Sequence, residues 1–214
     1  MQTTWTFNEK ELRTLLAVFG RNDLFGVEFS DEKSEDESDM EAMQRSLLEK
    51  GLFEEQNGKM HLETAIEVSL LAMIDKQVGI SMQIEGKSKY FCNLYFHGET
   101  IVLLRNKGEE EYEIMWIPFI PGAIYEAYGF YKESMIDGPE NAALQFNMVS
   151  DYEGQVFGRI CKLEDAALWI TGESQMNAEE LSLEDAFDHL QKYIVYSHSN
   201  CLKPIVENQK ETAN

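Results

Sequence analysis

The chain has 214 residues, 43% of them hydrophobic, and a formal charge of −21 from 39 acidic against 18 basic residues. That apolar share builds a core and excludes disorder of the whole chain. The charge excludes a binder of nucleic-acid backbone or anionic membrane, because such binding uses Lys and Arg to displace counterions and this surface repels polyanions.

Residues 4–7 read as a short opening strand. Asn8 caps a helix, with Glu11 completing the capping-box pattern. Leu12, Leu15, Leu16 and Phe19 recur at helical spacing, and Gly20 stops the helix. The Asp-, Glu- and Ser-rich stretch 28–39 reads as a solvated acidic loop. Ser38 or Asp39 opens a second helix with Met43, Leu47 and Leu48, which Lys50 and Gly51 end. Residues 53–62 form a predicted hairpin that turns at Asn57-Gly58. A third helix over 63–76 puts Ile66, Leu70, Met73 and Ile74 on one face. Val68 and Leu71 widen that face, so this helix is expected to be the most buried.

From Gly79 the apolar period changes from helical to two. Strands are predicted over 80–84, 90–96, 101–105 and 112–117, joined by short polar turns at 85–88, 97–99 and 106–108. Turns this short make an antiparallel meander. Pro118 and Pro121 end it, and Pro121 suits the first turn of a helix reaching Tyr131. Leu144, Phe146 and Met148 restart the alternation, and 156–161 and 166–170 come next, giving about three more strands. Ser182 caps a last helix carrying Leu183, Phe187, Leu190 and Ile194, and 204–214 read as a frayed tail. The order is α+β: a central antiparallel meander sheet with flanking helical bundles, the helices grouped on one side. Helix followed by meander occurs twice, which gives two quasi-repeated lobes, about 4–118 and 119–200, within one domain spanning 1–214.

No Gly-rich phosphate loop, Cys-x-x-Cys, His-Glu-x-x-His or Gly-x-Ser-x-Gly spacing occurs. His61, His97, His189 and His198 are scattered, and the acidic loop lacks calcium-hand spacing. Adjacent carboxylates such as Glu179-Glu180 and Glu184-Asp185 follow from the acidity alone. Cys92, Cys161 and Cys201, odd in number and widely spaced, read as reduced thiols. No catalytic, metal-binding or cofactor-binding residue is assigned, and no enzyme activity is expected. No leader pattern opens the chain and no apolar run spans a bilayer, so a cytoplasmic location is expected. Two features suit a protein partner. The first is the turn Glu85, Gly86, Lys87 and Ser88, held out by two long strands. The second is the last helix, where Tyr193 and Tyr196 lie off the core stripe and form either satellite core or an exposed aromatic pair.

Several features together resemble a known family. These are Leu-Leu-Glu-Lys-Gly-Leu at 47–52, the third helix running into a meander, Gly158-Arg159 opening a strand, Leu168-Trp169-Ile170-Thr171 forming the next, and the capped closing helix. In this order the chain resembles the EspG family of ESX (type VII) secretion-associated chaperones, in a compact Gram-positive version, over 7–196. The resemblance implies a non-catalytic cytosolic adaptor. It would hold a helical-hairpin substrate of WXG or LXG type and cover its tip before export. The family's contact loop falls here on Glu85, Gly86, Lys87 and Ser88, with the last helix nearby. This loop is shorter than the family's usual one, and the acidic stretch 28–39 is an addition. The implied partner set contains no nucleic acid and no membrane insertion, and the protein is expected to be a monomer or weak homodimer. An acidic immunity or antitoxin protein that neutralises a basic toxin is the alternative. A winged-helix regulator fits the helix–helix–hairpin–helix order, but Arg45 and Lys50 are the only cations of its recognition helix.

Overall fold

Side chains of a strand point alternately to opposite faces, so one strand can feed two cores. Three strands in the middle of this chain do so. The computed structural model describes residues 4–30, 37–56, 59–108, 111–151, 154–172 and 178–202. It opens with β1 (Thr4–Asn8), α1 (Glu9–Val18) and α2 (Glu37–Glu49). The small hairpin β2 (Phe53–Gln56) and β3 (Lys59–Leu62) leads into α3 (Thr64–Ile74). The predicted meander is formed by β4 (Val78–Ile84), β5 (Tyr90–His97), β6 (Thr100–Lys107) and β7 (Glu111–Ile117). Next come α4 (Ile120–Tyr131), a π-helical turn (Lys132–Ile136), β8 (Ala143–Ser150), β9 (Gly154–Lys162) and β10 (Ala167–Thr171). Strand β11 (Ala178–Leu181) and α5 (Leu183–Cys201) close the described chain.

Nine strands form one antiparallel sheet in the order β1-β7-β6-β5-β4-β8-β9-β10-β11, and β2 pairs only with β3. The architecture is therefore mixed α+β. Strand β5 shows how the two faces divide. Phe91 and Tyr95 join a core with Leu12, Leu15, Leu47, Ile66 and Leu70 from α1–α3. Cys92, Leu94 and Phe96 join another with Ala127, Phe130, Phe187 and Leu190 from α4 and α5. The expectation that helices group on one side is thus corrected: they lie on both faces, because β5–β7 are apolar at odd and even positions alike.

The caps act as the spacing predicts. Asn8 Oδ1 accepts from Glu11 N at 2.9 Å, and Glu11 Oε2 accepts from Asn8 N at 2.9 Å. Pro121 stands in the first turn of α4, and Ser182 Oγ accepts from Asp185 N at 3.0 Å at the start of α5. Three expectations change. Val68 and Leu71 are 45% and 39% exposed, so the face of α3 is not widened by them and it buries Ile66, Ser69, Leu70, Ala72 and Met73. Helix α2 begins at Glu37, inside the predicted loop 28–39, whose residues 31–36 lie outside the described residues. Strand β11 escapes the sequence pattern because Ala-Glu-Glu-Leu has no apolar alternation. The turn Asn57-Gly58 and the tail 204–214 also lie outside the described residues.

One asymmetry positions the site. On the α1–α3 face, α1 packs on β1 and β7, and α3 packs on β5, β6 and β7. No residue of β8–β11 belongs to that core. Among the described residues, the same face of β8, β9 and β10 carries no helix.

Candidate functional site

The turn between β4 and β5 is built by short local bonds. Lys87 N donates to Ile84 O at 3.0 Å, Tyr90 N donates to Lys87 O at 2.9 Å, and Gly86 supplies the left-handed φ of 76°. The ammonium of Lys87 sits 5.7 Å from the Tyr90 ring centroid. Glu85, Gly86, Lys87 and Ser88 are all exposed, as a reaching turn requires. Glu85 ties the turn to the neighbouring strands. Its backbone N–H donates to Ala143 O at 2.8 Å, and its carboxylate pairs with Arg159 of β9. That hydrogen bond raises the Arg159 pKa further.

The Glu85–Arg159 pair stands at one end of a trough on the helix-free half-face. The trough has a volume of about 580 Å³, and its lining includes Gly26, Ser81, Gln145, Asn147, Phe157 and Arg159. Strand register explains the lining. Ser81 pairs with Asn147 and Asn147 with Phe157, while Gln83 pairs with Gln145 and Gln145 with Arg159, so two cross-strand rows point the same way. Gln155 Nε2 donates to Asn147 Oδ1 at 3.0 Å. Phe157 is 45% exposed, a large aromatic on an otherwise amide-rich floor. One buried donor there, Arg159 Nε, has no partner within the protein.

One wall of the trough is the segment after α1, which the sheet holds tightly. Tyr95 Oη donates to Phe25 O at 2.7 Å, and Asn93 Nδ2 donates to Gly26 O at 2.9 Å. Gly26 adopts φ 73°, and a Cβ there would lie 2.6 Å from Ser81 Oγ. Glycine alone lets the backbone approach the sheet this closely. A second hollow of about 420 Å³ continues along the strands past Phe25, Lys76, Val149, Asp151 and Gln155. Lys76 Nζ lies 5.3 Å from the Phe25 ring centroid. Burial holds the Lys76 pKa below its ordinary value, against the pull of Asp151 and Asp23.

The two tyrosines separate. Tyr193 stacks on Trp169, with centroids 6.2 Å apart and planes at 13°, and it packs against the α4–α5 core. It is satellite core. Tyr196 is 45% exposed on the outer side of α5. Helix α5 lies on the sheet face opposite the trough, so the structure joins Glu85 to the trough and leaves both tyrosines elsewhere. Charge, metal-ligand spacing and aromatic stripes in the sequence do not point to the amides of the floor. Their signal was visible: the polar positions of 144–148 are Gln145 and Asn147, uncharged in a chain with 27% charged residues.

Three of the four histidines make local contacts, and His61 is exposed. His97 Nδ1 is 2.6 Å from Asp75 O, His189 meets Trp169 edge to face, and burial beside Phe96 lowers the His198 pKa. The three cysteines are free, and burial pushes the Cys201 thiol up to about 11. Among the described residues no group of three or more His, Cys, Asp or Glu side chains is placed to hold a metal ion. No helix among them is long and apolar enough to cross a membrane. Compared with protein-family models and with curated proteins, the chain matches none.

Proposed function

We propose that this protein is a non-catalytic cytoplasmic adaptor of EspG type that binds a helical-hairpin substrate of a type VII secretion system and keeps it soluble for export. The observation that carries the reading is the uncovered half-face: a sheet surface with an amide floor, one central exposed Phe157 and the 85–88 turn at its end. In this reading α1–α3 and α4–α5 are the two flanking bundles, and 4–118 and 119–200 are the two related lobes of one domain. The trough and the hollow that continues it run beside β8 from Gln145 to Asp151, roughly 20 Å at strand rise. An α-helix of about 13 residues has that length. One helix of the hairpin lies over Phe157, which shields part of its apolar stripe, and the hairpin tip meets the exposed turn.

Co-expression with a WXG-type or LXG-type protein encoded beside this chain, followed by affinity capture, tests the reading. A one-to-one complex is expected, and Phe157→Ser is expected to weaken it by tenfold or more without changing the melting temperature. Absence of a complex with every hairpin protein of that locus rejects the proposal. The acid-only stretch 163–191 favours a second reading, an immunity protein for a basic toxin. Rescue of cells expressing a neighbouring toxin would favour it instead.

A further inference from the structure

Strand β11 is the outermost strand of the sheet beyond β10. Its other side carries no strand among the described residues. In an antiparallel pair half of the backbone N–H and C=O groups point away from the partner, so this edge offers main-chain donors and acceptors. Ala178, Glu179 and Glu180 are exposed and Leu181 is half-buried. Strand β11 holds no proline.

Charge decides what such an edge accepts. From Leu163 to Gln191 the sequence contains acidic residues throughout and no Lys or Arg. Glu179 pairs with Trp169, whose side chain belongs to the α4–α5 core, so Glu179 points to that face. Glu180 pairs with Leu168 and points to the trough face. The turn before Ala167, with Glu164 and Asp165, and the start of α5, with Glu184 and Asp185, meet at the Leu181 end, because Ala167 pairs with Leu181. An added strand would place successive side chains about 5 Å from successive carboxylates, one on each face. A second copy of this edge would place carboxylate against carboxylate and be repelled. A strand with cations at those positions would be attracted.

We propose that β11 is a strand-addition site for an extended segment of a partner protein that carries Lys or Arg at two successive positions. The strand is short, so main-chain bonds are few and charge supplies much of the affinity. The site uses different residues from the trough and stands on its own observations.

The test uses the full chain and a fluorescein-labelled, end-capped peptide, Thr-Val-Lys-Arg-Val-Thr, followed by fluorescence polarisation. Binding is expected at about 20 mM salt, weakening by roughly tenfold or more at about 200 mM as screening grows. The same peptide with Glu-Glu at its centre is expected not to bind. The double variant E179K/E180K is expected to exchange these preferences. Peptide N-methylated at its two central residues keeps its charge but loses the main-chain donors, and a loss of tenfold or more is expected. Equal binding of the N-methylated peptide overturns strand addition, and undiminished binding of the basic peptide by folded E179K/E180K overturns the site. Phe157→Ser is expected to leave peptide affinity unchanged, so failure of the hairpin complex and failure of this edge are read separately.

Discussion

Glu11 shows how a single buried charge organises the first third of the chain. It is 1% exposed and accepts from Asn8 N, from Ser46 Oγ at 2.6 Å and from Lys50 Nζ at 2.6 Å. Lys50 Nζ also donates to Thr6 O at 3.0 Å, so one carboxylate joins β1, α1 and the end of α2. Burial pushes this carboxyl up, but the bonds from Lys50, Ser46 and Asn8 together outweigh it and hold the pKa below the ordinary value. A depressed carboxylate stabilises the fold fully above its unfolded pKa, and that contribution is lost as pH falls through the folded value. Glu11→Gln is therefore expected to lower stability by about 1–3 kcal/mol at neutral pH and much less in acid, read by urea unfolding at several pH values. Gly158 is a second sensitive position. A Cβ there would lie 1.8 Å from Phe146 Cζ, whose ring packs 4.9 Å from Trp169. Gly158→Ala is expected to cost about 1–3 kcal/mol and to alter the near-ultraviolet dichroism of Trp169.

Among the elements, the long regular ones were legible and the short polar ones were not. Helices α1 and α5 announce themselves by capping residues and apolar spacing, α4 by its first-turn Pro121, and β4–β7 by apolar strand runs between short polar turns. Strand β11 is invisible because its residues fit a solvated loop equally well; only pairing with β10 makes it a strand. The π-helical turn is equally silent. A distant side chain closes it: Lys162 Nζ donates to Ile136 O at 3.0 Å and to Gly138 O at 2.6 Å, while locally Ser134 Oγ donates to Phe130 O at 2.7 Å. The trough was legible only as a weakness in charge at Gln145 and Asn147, since sequence does not show which sheet face a helix covers. Helix α5 gives a direct test of capping. Ser182→Ala removes the acceptor for Asp185 N and is expected to cost about 0.5–2 kcal/mol, measured by thermal or urea unfolding.

For the whole molecule, a charge of −21 on a 214-residue chain opposes the compact state through self-repulsion. Screening relieves this, so the melting temperature is expected to rise as sodium chloride increases from about 20 to about 200 mM. A flat or falling curve would show that local ion pairs such as Arg105 with Glu126 at 2.8 Å outweigh the global field. The two halves of the chain meet at β4 and β8, where every residue from Val78 to Ile84 has a partner between Leu144 and Ser150. This seam lies at the middle of the sheet and has no gap in its ladder. Pulling the C-terminal half away would strip β4 of one neighbour along its whole length, so neither half has a cheap way to open alone. Calorimetry is accordingly expected to record one melting peak, and proteases are expected to trim the ends long before they cleave between β7 and β8.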